Sequence, residues 1–176
     1  MTDVISDTSH GNLGLERVLR DLASGQPNVV KKSMTFAGGT TNDPGDYDGT
    51  GNPATLFTVT GNVLMYLVPV CTTLLAGATA TLEIGVATAT AALVAQTTAT
   101  DIDAGEGWFA ATPTLAVANT AQYHVVSGNV IQTAATANIT AGVIDYYCFW
   151  KPLSADGNGG CRPHVLNRGS LWQGDG

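Results

Sequence analysis

The chain has 176 residues, of which only 12% are charged, and its formal net charge is −7 at pH 7. No Lys or Arg occurs in residues 33–150, whereas this stretch contains eight Asp and Glu residues. Because phosphate contacts need clustered basic side chains, this charge pattern argues against direct binding of nucleic acid. The length suits one domain, and the 68 Thr, Ala and Gly residues suit tightly packed all-β structure.

No apolar stretch reaches the ~20 residues that a membrane-spanning helix needs. The N-terminal sequence also lacks the basic and apolar regions of a signal peptide. We therefore expect a soluble protein that is made in the cytoplasm. The three cysteines, Cys71, Cys148 and Cys161, are odd in number and lack metal-ligand spacing, which predicts free thiols.

Residues 1–27 are predicted to form a polar arm and one short helix. Asn12 is a suitable N-cap, and the helix ends before Gly25. Arg17 and Arg20 would lie opposite an apolar stripe. The stripe consists of Leu15, Val18, Leu19 and Leu22. A helix of about ten residues is not stable alone in water, so the stripe must dock on the protein's own core or on a neighbouring subunit.

Residues 28–153 contain the alternating apolar patterns of short strands. Strands are predicted at residues 28–36, 54–60, 62–71, 79–87, 92–95, 123–127, 130–136 and 143–153. The segment 62–71 is apolar on both faces and must be covered on both sides. The segment 79–87 has one polar face. We interpret the two segments as adjoining strands of one sheet. Residues 123–136, with a Gly128-Asn129 turn, predict a hairpin. The fold class expected is an all-β antiparallel sandwich, jelly-roll-like, with extended N- and C-terminal arms.

Residues 38–52 form an Asp- and Gly-rich loop. The order Asp46, Asp48, Gly49 is typical of the start of a calcium loop. Position twelve from Asp46 is Phe57, where calcium loops carry a bidentate Glu, so a plain loop is the alternative.

No constellation for catalysis is found in the sequence. Asp7-Thr8-Ser9 matches the aspartic-protease triplet by letter, but no second copy exists. The three histidines are scattered, and neither an HExxH motif nor a serine-nucleophile motif is present. Exposed tryptophans could stack on a sugar ring, and the candidates are Trp108, Trp150 and Trp172. The alternative is that they pack in the core, as an aromatic residue of a strand most often does.

Residues 154–176 are rich in turn-forming residues and contain a few spaced hydrophobic residues, a pattern typical of a tail that binds along a partner. All seven basic residues lie in the two flanks of the core. We therefore predict that the flanks are the partner-binding anchors. The anchor residues are Leu15, Arg17, Leu19, Arg20, Leu22, Arg162, Arg168, Leu171 and Trp172.

Two segments resemble small structural proteins that tailed bacteriophages encode in or near their head genes. These are LFTVTGNVLMYLVPVCTTLLAGATATLEIGVATATAALVAQTTATDIDAGEGW and, near the end, YYCFWKPLSADG. The resemblance covers about residues 36–157. It implies a β-rich capsid decoration (cement) protein or another virion surface protein, often trimeric, without catalytic residues or cofactors.

The leading expectation is therefore a non-enzymatic protein of the virion that binds the major capsid protein on the outside of the head, after synthesis in the host cytoplasm. It would form a homo-oligomer, with a trimer favoured, and would contact neither nucleic acid nor membrane. One alternative is a tail or fibre component that binds host carbohydrate. A hydrolytic virion accessory is a second alternative.

Overall fold

The structure is a computed structural model that describes residues 27–38, 43–113 and 123–157. The strands are β1 Asn28–Phe36, β2 Ala54–Phe57, β3 Val63–Ala76, β4 Thr81–Val86, β5 Ala89–Thr98, β6 Tyr123–Val126, β7 Val130–Ala135 and β8 Ala141–Pro152. A single turn of 3₁₀-helix, Ala99–Asp101, follows β5. The predicted N-terminal helix and most of both arms lie outside the described residues.

The eight strands form two antiparallel sheets of four. Sheet A has the order β1-β8-β3-β6, and sheet B has the order β2-β7-β4-β5. The first strand therefore pairs with the eighth, the second with the seventh, the third with the sixth and the fourth with the fifth. This is the pairing of one long hairpin rolled up into two sheets, which defines the jelly roll. The predicted all-β sandwich is confirmed.

The β3 and β8 strands form the centre of sheet A because each pairs along most of its length. From Val63 to Cys71, every second residue of β3 is buried and the residues between are half-buried. The β4 strand in sheet B buries Leu82 and Ile84 in the same core. The predicted alternation holds from Thr81 to Ile84, whereas Gly85 is buried and Val86 half-buried at the end of the strand.

Two predicted pairings between strands are wrong. The β3 and β4 strands lie in opposite sheets rather than side by side, because Gly77, at φ 144°, and the bend from Gly77 to Ala80 carry the chain across the sandwich. The β6 and β7 strands are also in opposite sheets, so the turn at Gly128 and Asn129 does not close a hairpin. Among the described strands, the tight hairpin joins β4 to β5, where Val86 pairs with Ala89.

The first residues of the predicted C-terminal tail fold back on the sandwich. The backbone N–H of Leu153 donates to the Asn62 carbonyl at 2.8 Å, and the Asn62 N–H donates to Oγ of Ser154 at 2.8 Å. A turn then closes from Gly157 to the Ser154 carbonyl. The chain thus leaves the described region beside the start of β3.

Candidate interaction surface

The predicted anchors and the described structure do not overlap. Residues Leu15, Arg17, Leu19, Arg20, Leu22, Arg162, Arg168, Leu171 and Trp172 all lie outside the described ranges. Their role stays a prediction.

The loop that contains Asp46 and Asp48 is organised by backbone hydrogen bonds. The Asp43 carboxylate accepts from the N–H groups of Ala37 at 2.9 Å and Gly45 at 3.1 Å. Burial, and then the neighbouring Asp48 carboxyl, raise the pKa of Asp46. Among the described residues, no group of three His, Cys, Asp or Glu side chains is placed to hold a metal ion.

The two described cysteines face the core. Cys71 and Cys148 are both fully buried free thiols. Burial raises the pKa of the Cys71 thiol and raises the pKa of Cys148 to about 12. Because the thiolate is the nucleophile, these environments suit packing rather than reactivity.

Trp108 is wrong as a sugar-stacking candidate. Its side chain is fully buried, and its indole Nε1–H donates to Oγ1 of Thr97 at 2.8 Å. Trp150 is half-buried and packs against the core, and Trp172 lies outside the described residues. The exposed aromatic surface is made instead by tyrosines and a phenylalanine that the sequence argument did not single out.

The outward side of sheet A, which we call the aromatic face, is apolar over much of its area. The strand register places Val29, Phe149, Tyr66 and Tyr123 in one row across all four strands. The next row contains Lys151, Leu64 and Val125. Tyr123 is 70% exposed, Val125 66% and Val29 55%. Contiguous exposed apolar surface of this kind marks a site of interaction.

A groove of about 230 Å³ lies within the aromatic face. The Tyr66 ring centroid is 5.4 Å from that of Tyr123 and 6.0 Å from that of Phe149, in tilted arrangements. Such spacings are those of favourable aromatic pairs. The groove is lined by Pro27, Leu64, Tyr66, Tyr123, Phe149, Trp150 and Lys151.

The other half of the aromatic face holds an ion pair. The Lys31 ammonium is 2.6 Å from the Asp145 carboxylate and 5.3 Å from the centroid of the Tyr147 ring. The Ser33 hydroxyl donates to the same carboxylate. The Lys31 and Ser33 bonds lower the pKa of Asp145, and Asp145 raises the pKa of Lys31. Lys31 lies just before residues 33–150, so a basic side chain from outside this acidic stretch pairs with Asp145 inside it.

The edge strands of the two sheets differ in how well they are protected. Three edges are protected: β1 carries Lys31 and Lys32, and β2 and β6 have only four residues each. The β5 edge has ten residues, no charge and several exposed alanines. A long uncharged edge is a surface on which another strand can pair.

A larger depression of about 550 Å³ lies at one end of the sandwich, where the β4–β5 turn approaches β6 and the turn before β7. Its wall includes Thr88, Leu93, His124 and Asn129. His124 is the one titratable side chain in that wall, so the depression brings no pair of acid–base groups together.

Comparison of the chain with known protein families, with curated proteins and with solved structures finds no match. Within the part of the chain that the structure describes, no helix has the length and apolar character needed to cross a membrane.

Proposed function

We propose that this protein is a non-enzymatic structural protein of a bacteriophage virion that decorates the outer surface of the head. The observation that supports the proposal is a sandwich with few charges, in which residues 33–150 contain no Lys or Arg and the ten residues of the β5 edge are uncharged. A surface poor in long charged side chains is suited to contact with other proteins. The resemblance to phage head proteins supplies the partner, the major capsid protein.

The flanks supply the contact with the capsid in this proposal. They hold Arg17, Arg20, Arg162 and Arg168, whereas the other three basic residues lie on β1 and β8 of the sandwich. The tail also contains Leu171 and Trp172 as apolar anchors. Exposed ion pairs contribute only about 0.2–1 kcal/mol each, so the apolar anchors carry most of the affinity and the charges mainly speed the encounter.

Self-association is the second element of the proposal. The uncharged β5 edge and the small side chains around it fit close packing of one copy on another. We propose a homo-oligomer, with the trimer that is common in the proteins it resembles.

The carbohydrate-binding alternative has weaker support. Of the three tryptophans considered for stacking, Trp108 is inside the core and Trp150 is a half-buried wall residue of the groove. Tyr123 is an exposed ring, but the groove beside it is largely apolar, whereas a sugar site needs convergent hydrogen-bonding groups.

Fractionation of virions tests the proposed function. Heads that lack tails and tails that lack heads are purified separately, and the protein is detected in each by mass spectrometry. We expect it on the tailless heads, at a copy number that scales with the capsid lattice. Its presence on tails alone, together with binding to a glycan array, would establish the alternative.

A further inference from the structure

The outer side of β3 lacks the cover that its sequence demands. Leu64, Tyr66, Val68 and Val70 alternate with the buried core positions of the strand, yet they are only half-buried. With Tyr123 and Val125 they form a continuous apolar surface on the aromatic face. Apolar surface of this extent is normally covered by another element or by a partner.

The path of the chain brings a suitable element to this surface. Pro27, the first described residue, itself lines the groove of the aromatic face. The apolar stripe of the predicted helix ends at Leu22, which leaves four residues between it and Pro27. A linker of this length spans roughly 13 Å when extended, enough to turn the helix back onto the sheet.

The dimensions of the helix and of the face agree. A helix of about ten residues is roughly 15 Å long. The edge strands of a four-stranded sheet lie about 14 Å apart, because neighbouring strands are spaced by about 4.8 Å. One short helix therefore crosses the width of sheet A and covers the aromatic row without extending beyond it.

We propose that the predicted helix of the N-terminal flank packs on the aromatic face of its own chain. Leu15, Leu19 and Leu22 contact the groove beside Tyr66 and Tyr123. Being tethered through Pro27, the helix reaches its site at a high effective concentration, which a helix from another molecule lacks.

This arrangement divides the roles of the N-terminal anchors. If the leucine stripe faces the sandwich, Arg17 and Arg20 lie on the opposite, exposed side of the helix as a basic pair. Resting on the proposed function, the inference assigns Arg17 and Arg20 to the capsid and the three leucines to the sandwich itself.

Disulfide trapping tests the packing without any capsid. In a Cys161→Ser background, Leu64→Cys on the face is combined in turn with Leu15→Cys, Leu19→Cys or Leu22→Cys. The control combines the same Leu64→Cys with Arg20→Cys, on the other side of the helix. We expect at least one leucine position to cross-link to residue 64 within a single chain, while the Arg20 pair stays reduced.

The cross-linked products separate the possible occupants of the face. A bridge that joins two chains at every dilution would mean that the face binds the helix of a second copy, and the proposal would be wrong. Absence of any bridge from the leucine positions, or an equal yield from the Arg20 pair, would also overturn it.

Hydrogen exchange gives a second, independent readout. Amides of residues 13–24 should exchange at least tenfold more slowly in the full chain than in a peptide of residues 1–26, which is too short to hold a helix alone. The double change Tyr123→Ala and Val125→Ala, at exposed positions, should remove this protection, whereas Gln96→Ala on the β5 edge should not. Protection that survives the change to the face would overturn the proposal.

Both tests use isolated protein and bear only on the packing of the helix. The fractionation of heads and tails tests the proposed function separately.

Discussion

Replacing Tyr146 with Phe removes a hydroxyl that joins the two sheets. Tyr146 of β8 and Gln132 of β7 are both fully buried, and the Tyr146 hydroxyl donates to Oε1 of Gln132. Nε2 of Gln132 has no hydrogen-bond partner among the described residues. Tyr146→Phe therefore leaves the whole amide unpaired in the interior. An orphaned buried polar group costs about 1–3 kcal/mol, and we expect the free energy of unfolding to fall by that amount.

A double-mutant cycle isolates this interaction. Gln132→Leu orphans the Tyr146 hydroxyl but also removes the unpaired Nε2, so its cost should be smaller than that of Tyr146→Phe. The double variant has neither of these two buried polar groups. Its loss in free energy of unfolding should therefore be smaller than the sum of the losses in the two single variants. Urea unfolding at one protein concentration measures each variant.

Tyr123→Phe is the matched control because Tyr123 is 70% exposed, and its effect should stay within about 0.5 kcal/mol. If Tyr146→Phe costs no more than this control, or if the two core changes simply add, the side chains of β8 and β7 do not meet across the sandwich. The packing described for the two sheets would then be wrong.

Three further outcomes follow from the buried thiols, the ion pair and the surface. At pH 8, Cys161 should be the one cysteine of the native protein that reacts quickly with a thiol reagent, because burial raises the pKa values of Cys71 and Cys148. A Cys161→Ser variant should therefore show no fast-reacting thiol until it is denatured. Lys31 and Ser33 lower the pKa of Asp145, so the stability that these contacts contribute is fully present above the ordinary pKa of an aspartate and is lost as the pH falls from there through the lowered pKa. Acid titration of unfolding should therefore show a smaller loss of stability in Asp145→Asn than in the native sequence. Light scattering should give the mass of a homo-oligomer, most simply a trimer, and a monomer at high concentration would count against self-association in solution.

The fold class was predictable because each strand carries its own apolar alternation. The β1 strand lies at residues 28–36 as predicted, and the long apolar segment from residue 62 became the central β3 strand. The strand that pairs beside each strand was not predictable in the same way. An apolar face looks identical in sequence whether the next strand pairs beside it or crosses to the opposite sheet, so β3 and β4 were wrongly placed together.

The interaction surface was only partly predictable. The requirement that β3 be covered on both sides was readable, because Leu64, Tyr66 and Val68 alternate with core positions. Tyr123 and Phe149 were missed, since their place beside Tyr66 depends on the register of three strands that are far apart in sequence. For Trp108, the sequence left both sugar stacking and core packing open, because a tryptophan beside a loop gives no sign of which way it packs; the structure places it in the core.

Truncation shows whether the flanks attach the folded sandwich to phage heads, as proposed above. Variants that lack residues 1–25 or 160–176 are mixed with heads stripped of the protein, and the bound fraction is measured by sedimentation across a range of concentrations. Gln96→Ala, with both flanks intact, is the control. Circular dichroism checks that each truncated chain keeps its β-sheet signal.

We predict that each truncation leaves a folded sandwich and that loss of residues 160–176 abolishes decoration of heads. This truncation removes the apolar anchors Leu171 and Trp172. Each buried apolar anchor is worth roughly 1.5–3 kcal/mol, so the loss of one already weakens binding more than about tenfold. Loss of residues 1–25 removes Arg17 and Arg20 from the capsid contact, so we expect slower attachment. Added salt should slow attachment of the full chain with little loss of affinity, because the basic residues act mainly on the encounter rate. If both truncated chains bind heads as tightly as the full chain does, the contact lies on the sandwich and the assignment of the flanks is wrong.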